Sequence, residues 1–186
     1  ARLASSFAGV ASNVGNNGIV VRGNAPKFLQ WKMEEIEIPN PNHFADLASF
    51  GGGGITALSS QLLANSDFLT GAFPAEYTNA LSGVFDIFMR NGNSEDYEHT
   101  FQLGIIGIDF ASEGPFQKGS ASSYLFNYRY STLSLLTPLL PDDADGTSYQ
   151  DLSFKLNFPT QYMGTFSVWG IGLLDRSGQN AKRDSS

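Results

Sequence analysis

Two stretches in the second half of the chain, ASSYLFNYRYST (121–132) and DLSFKLNF (151–158), alternate between polar and apolar residues, from Ser123 to Ser131 with Leu125 as the exception and from Asp151 to Phe158 without one. In an extended backbone successive side chains point to opposite faces. Tyr124, Phe126, Tyr128 and Tyr130 therefore share one face, and Ser123, Asn127, Arg129 and Ser131 share the other. Leu152, Phe154, Leu156 and Phe158 repeat the arrangement opposite Ser153, Lys155 and Asn157. A helix would scatter these residues around its circumference, so the alternation demands a sheet with one apolar and one polar face. Two environments satisfy such a sheet. A water-soluble protein packs the apolar face onto a second layer, and a membrane barrel turns it to lipid.

Two segments break phase. In YEHTFQLGIIGIDFAS (97–112) the odd positions Tyr97, Phe101, Leu103 and Ile105 are apolar, and from Ile106 onward the even positions Ile108 and Phe110 take over. A tight turn or a bulge between Ile105 and Gly107 accounts for it, because a one-residue slip exchanges the faces. The same slip falls between Val168 and Trp169 in TFSVWGIGLL.

The 186 residues suffice for one medium domain or two small ones, and the character of the chain changes near residue 93. Before it, GIVVRG reads as a compact strand, and ARLASSFAGVASN and TALSSQLLANSD carry helix-like spacing. After it, strands dominate. With 18 acidic against 11 basic residues and a net charge of -7, the chain lacks the clustered cations that nucleic acid requires, and nucleic acid is not expected as a partner. There is no cysteine, which excludes disulfides, thiolate metal sites and cysteine nucleophiles. No apolar run is long enough for a spanning helix, and the amino terminus lacks the order of a signal peptide. A barrel needs no such run, and 15 Phe and 7 Tyr suit the aromatic girdles of one.

Motifs for catalysis are missing. Gly51–Gly54 form a GGGG run with no Gly-Lys-Ser/Thr behind it, so a surface loop is favoured over a phosphate cradle. No G-x-S-x-G turn accompanies a His and Asp. His43 and His99 stand far apart, each without a second imidazole one helical turn away. Asp142, Asp143 and Asp145 in PDDADGTS miss calcium-loop spacing, and Glu34, Glu35 and Glu37 lie too close together to flank a sugar. The expectation is a protein that is not an enzyme and uses no cofactor or metal.

A resemblance adds to this reading. IVVRGN (19–24), FLQWKMEEIEIPNPNHF (28–44) and LLANSDFLTGAFPAEYTNALSGVFDIFMRNGN (62–93), in that order, resemble the plug domain of TonB-dependent outer-membrane receptors. PNPNHF and GAFPAEY are similar to the version found in Bacteroidetes-type bacteria. The following YEHTFQLGIIGIDFASEGPFQKGSASSYLFNYRYSTL is similar to the start of the barrel in the same receptors.

The resemblance implies an α+β plug domain, a small mixed sheet with short helices, over residues 1–93. Residues 94–186 would be antiparallel strands from the start of a truncated transmembrane β-barrel. In the family the plug occludes a wide barrel of about 22 strands, and TonB pulls on a segment ahead of the plug to admit a large ligand such as a siderophore, cobalamin, glycan or peptide. The implied location is the outer membrane, with the plug in the lumen facing the periplasm. TonB, acting through a segment not in this chain, the ligand, and lipid around the strands are the implied partners. By position, Arg22 corresponds to a plug arginine that pairs with barrel carboxylates, a plug–barrel contact. Asn24, Lys27, Asn42, His43 and Phe44 fall in loops that would face the ligand. Asn91–Asn93 would be the exit from plug to barrel.

The chain departs from the pattern at three points. Glu34-Glu35 stands where a hairpin Asp-Gly is common, which puts a positive-φ turn in doubt. Thr70 replaces a basic residue before Gly71, and Thr78 replaces a glycine after AEY. The four or five strand segments after residue 93 cannot close a wide barrel, so the sequence is expected to be a fragment that begins inside the plug. The alternative is a soluble β-rich carbohydrate-binding module whose aromatic faces stack on sugars, with a small hydrolase third.

Overall fold

A computed structural model describes Ala4 and residues 6–12, 17–45, 55–78, 80–104, 107–132 and 148–176. The chain divides into two compact units, Ala1–Arg90 and Asn91–Ser186. The GGGG run, Ile105, Ile106 and the acidic residues Asp142, Asp143 and Asp145 lie outside the described residues.

The first unit contains strands β1 (Val10–Ser12), β2 (Ile19–Val21), β3 (Leu29–Met33), β4 (Ile36–Ile38), β5 (Asn42–His43), β6 (Ile55–Thr56), β7 (Asp67–Leu69) and β8 (Gly83–Ile87). They form an antiparallel β1-β2 pair, an antiparallel β5-β6 pair and a sheet of order β4-β3-β8-β7. Within that sheet β3 and β8 run parallel and the other pairings are antiparallel. Leu29, Trp31 and Met33 share one face with Phe85 and Ile87 across the parallel pair, and all but Phe85 are buried. Apolar spacing thus sets the core of this unit.

The expected α+β plug with short helices is not what forms. Among the described residues there is no α-helix, and the one named helical piece is a 3₁₀ turn at Pro26–Phe28. The helix-like TALSSQLLANSD shows why. Hydroxyls of Thr56 and Ser59 accept the backbone N–H groups of Leu58 and Gln61 at 3.2 and 3.4 Å. Such local bonds offer the backbone an alternative to a helix. The chain then pairs like a strand, Ala64 N–H donating to the Phe88 carbonyl at 2.7 Å and Arg90 N–H to the Leu62 carbonyl at 2.9 Å. In the first segment, Val10–Ser12 is drawn into β1 by pairing with β2. Cross-strand partners override helical spacing in both places. The class is all-β.

The Glu34-Glu35 turn is a second correction. Met33 pairs with Ile36, and the two glutamates between them have φ of 49° and 68°. Positive φ at both central residues gives the twist that a two-residue hairpin needs. Two contacts hold this conformation without glycine. The Glu34 carboxylate accepts the Met89 N–H at 2.7 Å, and the Glu34 N–H donates to the Ile87 carbonyl at 2.9 Å.

The second unit is one antiparallel sheet of β9 (Glu98–Leu103), β10 (Gly107–Pro115), β11 (Ser123–Ser131), β12 (Ser148–Pro159) and β13 (Thr165–Arg176), in the order β13-β12-β11-β10-β9. The first phase break falls between β9 and its antiparallel partner β10, where Gly104 N–H donates to the Gly107 carbonyl at 2.9 Å and Leu103 lies opposite Ile108. The second is neither bulge nor turn. The β12-β13 register runs unbroken from Ser148 opposite Arg176 to Pro159 opposite Thr165. Glycines at 170 and 172 simply occupy the face that Phe166, Val168 and Leu174 share. Trp169, Ile171 and Leu173 then sit opposite Lys155, Ser153 and Asp151. The Phe154 ring fills the space above Gly170, where a Cβ would come within 2.8 Å of it.

Candidate functional site

The five-stranded sheet has its polarity reversed relative to a soluble sheet. On β11 and β12 the buried side chains include Ser123, Asn127, Ser131, Asp151, Ser153, Lys155 and Asn157, and the aromatic positions between them are half-buried or exposed. Asn127 is 0% exposed and Asp151 2%, whereas Phe101 is 66%, Leu103 74% and Leu174 65% exposed. Soluble proteins bury ions only when they are paired, and here the pairing is present. Arg129 donates from Nε to Asp151 Oδ1 at 3.0 Å and from Nη2 to Oδ2 at 2.8 Å. This is the two-pronged geometry that a guanidinium offers a carboxylate. Asn127 Nδ2 donates to Asp109 in the neighbouring strand. Asn127 Oδ1, Ser153 Oγ and Asn157 Oδ1 are buried without a hydrogen-bond partner among the described residues.

In the first unit an aromatic row crosses the four-stranded sheet. Trp31 and Phe85 stack with centroids 4.7 Å apart and planes 10° from parallel. Phe85 and Phe68 follow at 4.3 Å and 27°, and Phe7 meets Phe68 at 5.9 Å and 59°. These four rings line a cavity of about 620 Å³, with Asn42 and Asn65 among its polar boundary. On the opposite face of the sheet Tyr77 donates its hydroxyl to Asp86 Oδ2 at 2.8 Å. The Lys32 ammonium lies 4.6 Å from the Tyr77 ring centroid, an attraction of cation to ring face. Gln30 Nε2 holds the same segment through the Thr78 carbonyl at 2.9 Å. The Tyr77 hydroxyl is pushed up to about 12, first by its bond to Asp86, then by desolvation and nearby carboxylates.

The residues singled out by sequence fall on different elements. Arg22 and Gly23 form the tip of a tight turn, with φ of 50° and 82°, closed by Asn24 N–H donating to the Val21 carbonyl at 3.0 Å. Arg22 is exposed, has no ion pair among the described residues, and rests its guanidinium where a Cβ on Gly71 would lie. Asn24 Nδ2 donates to the Val21 carbonyl at 3.1 Å, and Lys27 lies 5.0 Å from the Phe28 ring centroid; both are exposed. Asn42 and His43 are instead buried on β5, and His43 is shielded from solvent altogether. Phe44 follows with a φ of 60°, its ring 6.2 Å from that of His43. Asn42, which accepts from Asn17 Nδ2 at 3.2 Å, is the member of this set that borders the cavity. Asn91–Asn93 open the second unit and are held to its strands: Asn93 N–H donates to Glu113 at 2.8 Å, and Gly92 packs against the Tyr124 carbonyl.

The Trp31–Phe85–Phe68 row and the Arg129–Asp151 pair escaped the sequence reading. Their signal is in-phase placement on strands, legible only once β3 is known to pair with β8 and β11 with β12. Comparison with known proteins finds no matching family model and no curated protein with significant sequence similarity.

Proposed function

We propose that the chain is part of an outer-membrane transporter of the TonB-dependent receptor kind. In this reading the strands of the second unit meet lipid with their aromatic face and line a polar lumen with the other. The first, all-β unit takes the gating role in energy-coupled uptake of a large ligand, driven by TonB. The observation that supports the reading is the reversed sheet. An apolar face carrying Phe101, Phe110, Tyr130, Leu152, Val168 and Leu174 at more than a third exposed is unfavourable in water. The same face against acyl chains is the low-energy arrangement, and buried polar groups then belong on the inner side. No helix among the described residues is long and apolar enough to cross a membrane, and strands need none.

The motif order across residues 19–93 supports the particular class of transporter, and the sheet supports the membrane. Flotation with phospholipid vesicles tests the reading. The chain refolded with vesicles is expected to float with them and to resist extraction by alkaline carbonate. A chain that stays monodisperse in water without detergent, leaving the vesicles bare, would overturn it and favour the carbohydrate-binding alternative.

A further inference from the structure

The cavity in the first unit has a shape and chemistry that select a ligand class, independently of whether the second unit meets lipid. Its volume of about 620 Å³ lies within the range of small-molecule sites and far above the water-sized voids of ordinary protein interiors. None of the described residues bordering it is ionisable, so an ion entering it would lose hydration with no counter-charge from them in return.

The aromatic wall narrows the class further. Phe85 sits on the middle strand with Trp31 stacked from β3 and Phe68 stacked from β7. Both of its faces are therefore engaged, and it presents an edge to the cavity. A ring edge is the positive end of the aromatic quadrupole and favours the face of another ring in a T-shaped contact. A sugar needs the reverse, an open aromatic face beneath its C–H groups and many hydrogen-bonding partners around its hydroxyls. At the rim, the Asn65 carboxamide makes no hydrogen bond among the described residues and is exposed, free to serve one polar group of a ligand. We infer that this cavity binds an uncharged aromatic molecule, its ring packed edge-to-face against the Trp31–Phe85–Phe68 row.

Energy transfer from Trp31 to the neutral probe N-phenyl-1-naphthylamine tests the inference. The chain has two tryptophans, so Trp169→Phe leaves Trp31 as the sole donor. Saturable transfer at one probe per chain is expected. The double substitution Ala64→Phe/Ser66→Phe, at two exposed positions on the cavity border, is expected to weaken binding by about tenfold or more, equivalent to roughly 1.4 kcal/mol. Phe101→Ser/Leu103→Ser, in β9 of the second unit, should leave it unchanged. Should the double variant fail to fold by near-ultraviolet circular dichroism, Phe68→Leu, which keeps the position apolar but removes the ring at the end of the row, serves instead and is expected to weaken binding several-fold. Unchanged affinity in the folded cavity variant, loss only in the Phe101/Leu103 variant, or displacement of the probe by methyl glycosides but not by naphthalene would each overturn the inference.

Discussion

Glu34 holds a turn that its own residue type disfavours. A non-glycine residue in the left-handed region costs roughly 1–2 kcal/mol, and Glu34 and Glu35 both occupy it. They differ in what they receive in return, since among the described residues only Glu34 has a carboxylate bond to a backbone N–H, that of Met89 just beyond β8. Glu35→Gly is therefore expected to raise stability by about 1 kcal/mol, and Glu34→Ala to lower it by roughly 1.5–3 kcal/mol through the lost charge-assisted bond; urea midpoints measure both. Tyr77 supplies a pH test at the same scale. Its folded pKa of about 12 lies above the ordinary 10.0, so the fold favours the protonated phenol. The stabilisation is complete below pH 10.0 and disappears as pH rises through about 12. Wild type minus Tyr77→Phe should show that loss in alkaline thermal melts, and a difference flat across the interval would contradict the Tyr77–Asp86 bond. Sequence disclosed neither effect, because both depend on partners more than 50 residues away in one case and across a sheet face in the other.

At the level of elements, alternation was the most legible signal. The faces of β11 and β12 follow directly from ASSYLFNYRYST and DLSFKLNF, and the break at Ile105–Gly107 marks the β9-β10 hairpin. Spacing failed where tertiary pairing competes with it. TALSSQLLANSD has helical periodicity, yet its backbone pairs with Phe88 and Arg90. Trp169 looks out of phase until its register with Lys155 is known. The Gly/Asn break at 91–93 was readable as a boundary, but not as a packing element. A Cβ on Gly92 would collide with the Tyr124 carbonyl oxygen, a backbone atom that cannot swing aside. Gly92→Ala is accordingly expected to destabilise the second unit by about 3 kcal/mol. Gly119→Ala, in open space but at a φ of 81°, should cost only about 1–2 kcal/mol, and comparing the two denaturation curves separates steric contact from backbone strain.

For the whole molecule, the sequence left one question open that the sheet sharpens: which face is inside. Alternation is the same for a soluble sheet and a membrane strand, since period two reports that faces differ and not what each touches. Burial of Asn127, Asp151, Ser153 and Asn157, with Phe101, Val168 and Leu174 outward, favours the membrane arrangement. The candidate ligand residues were only partly legible for a related reason. A loop motif such as PNPNHF predicts a connection, while burial of Asn42 and His43 arises from the β5-β6 pairing. The absence of native cysteine permits the most direct test. Single cysteines placed in turn at positions 151–157 of β12 and labelled with a nitroxide in lipid vesicles report collisions with dissolved oxygen and with a water-soluble nickel chelate. A period of two is expected, with oxygen dominating at Leu152, Phe154 and Leu156 and oxygen access low at Asp151, Ser153, Lys155 and Asn157. Preferential access of the nickel chelate at 152, 154 and 156, or no alternation along the strand, would contradict it.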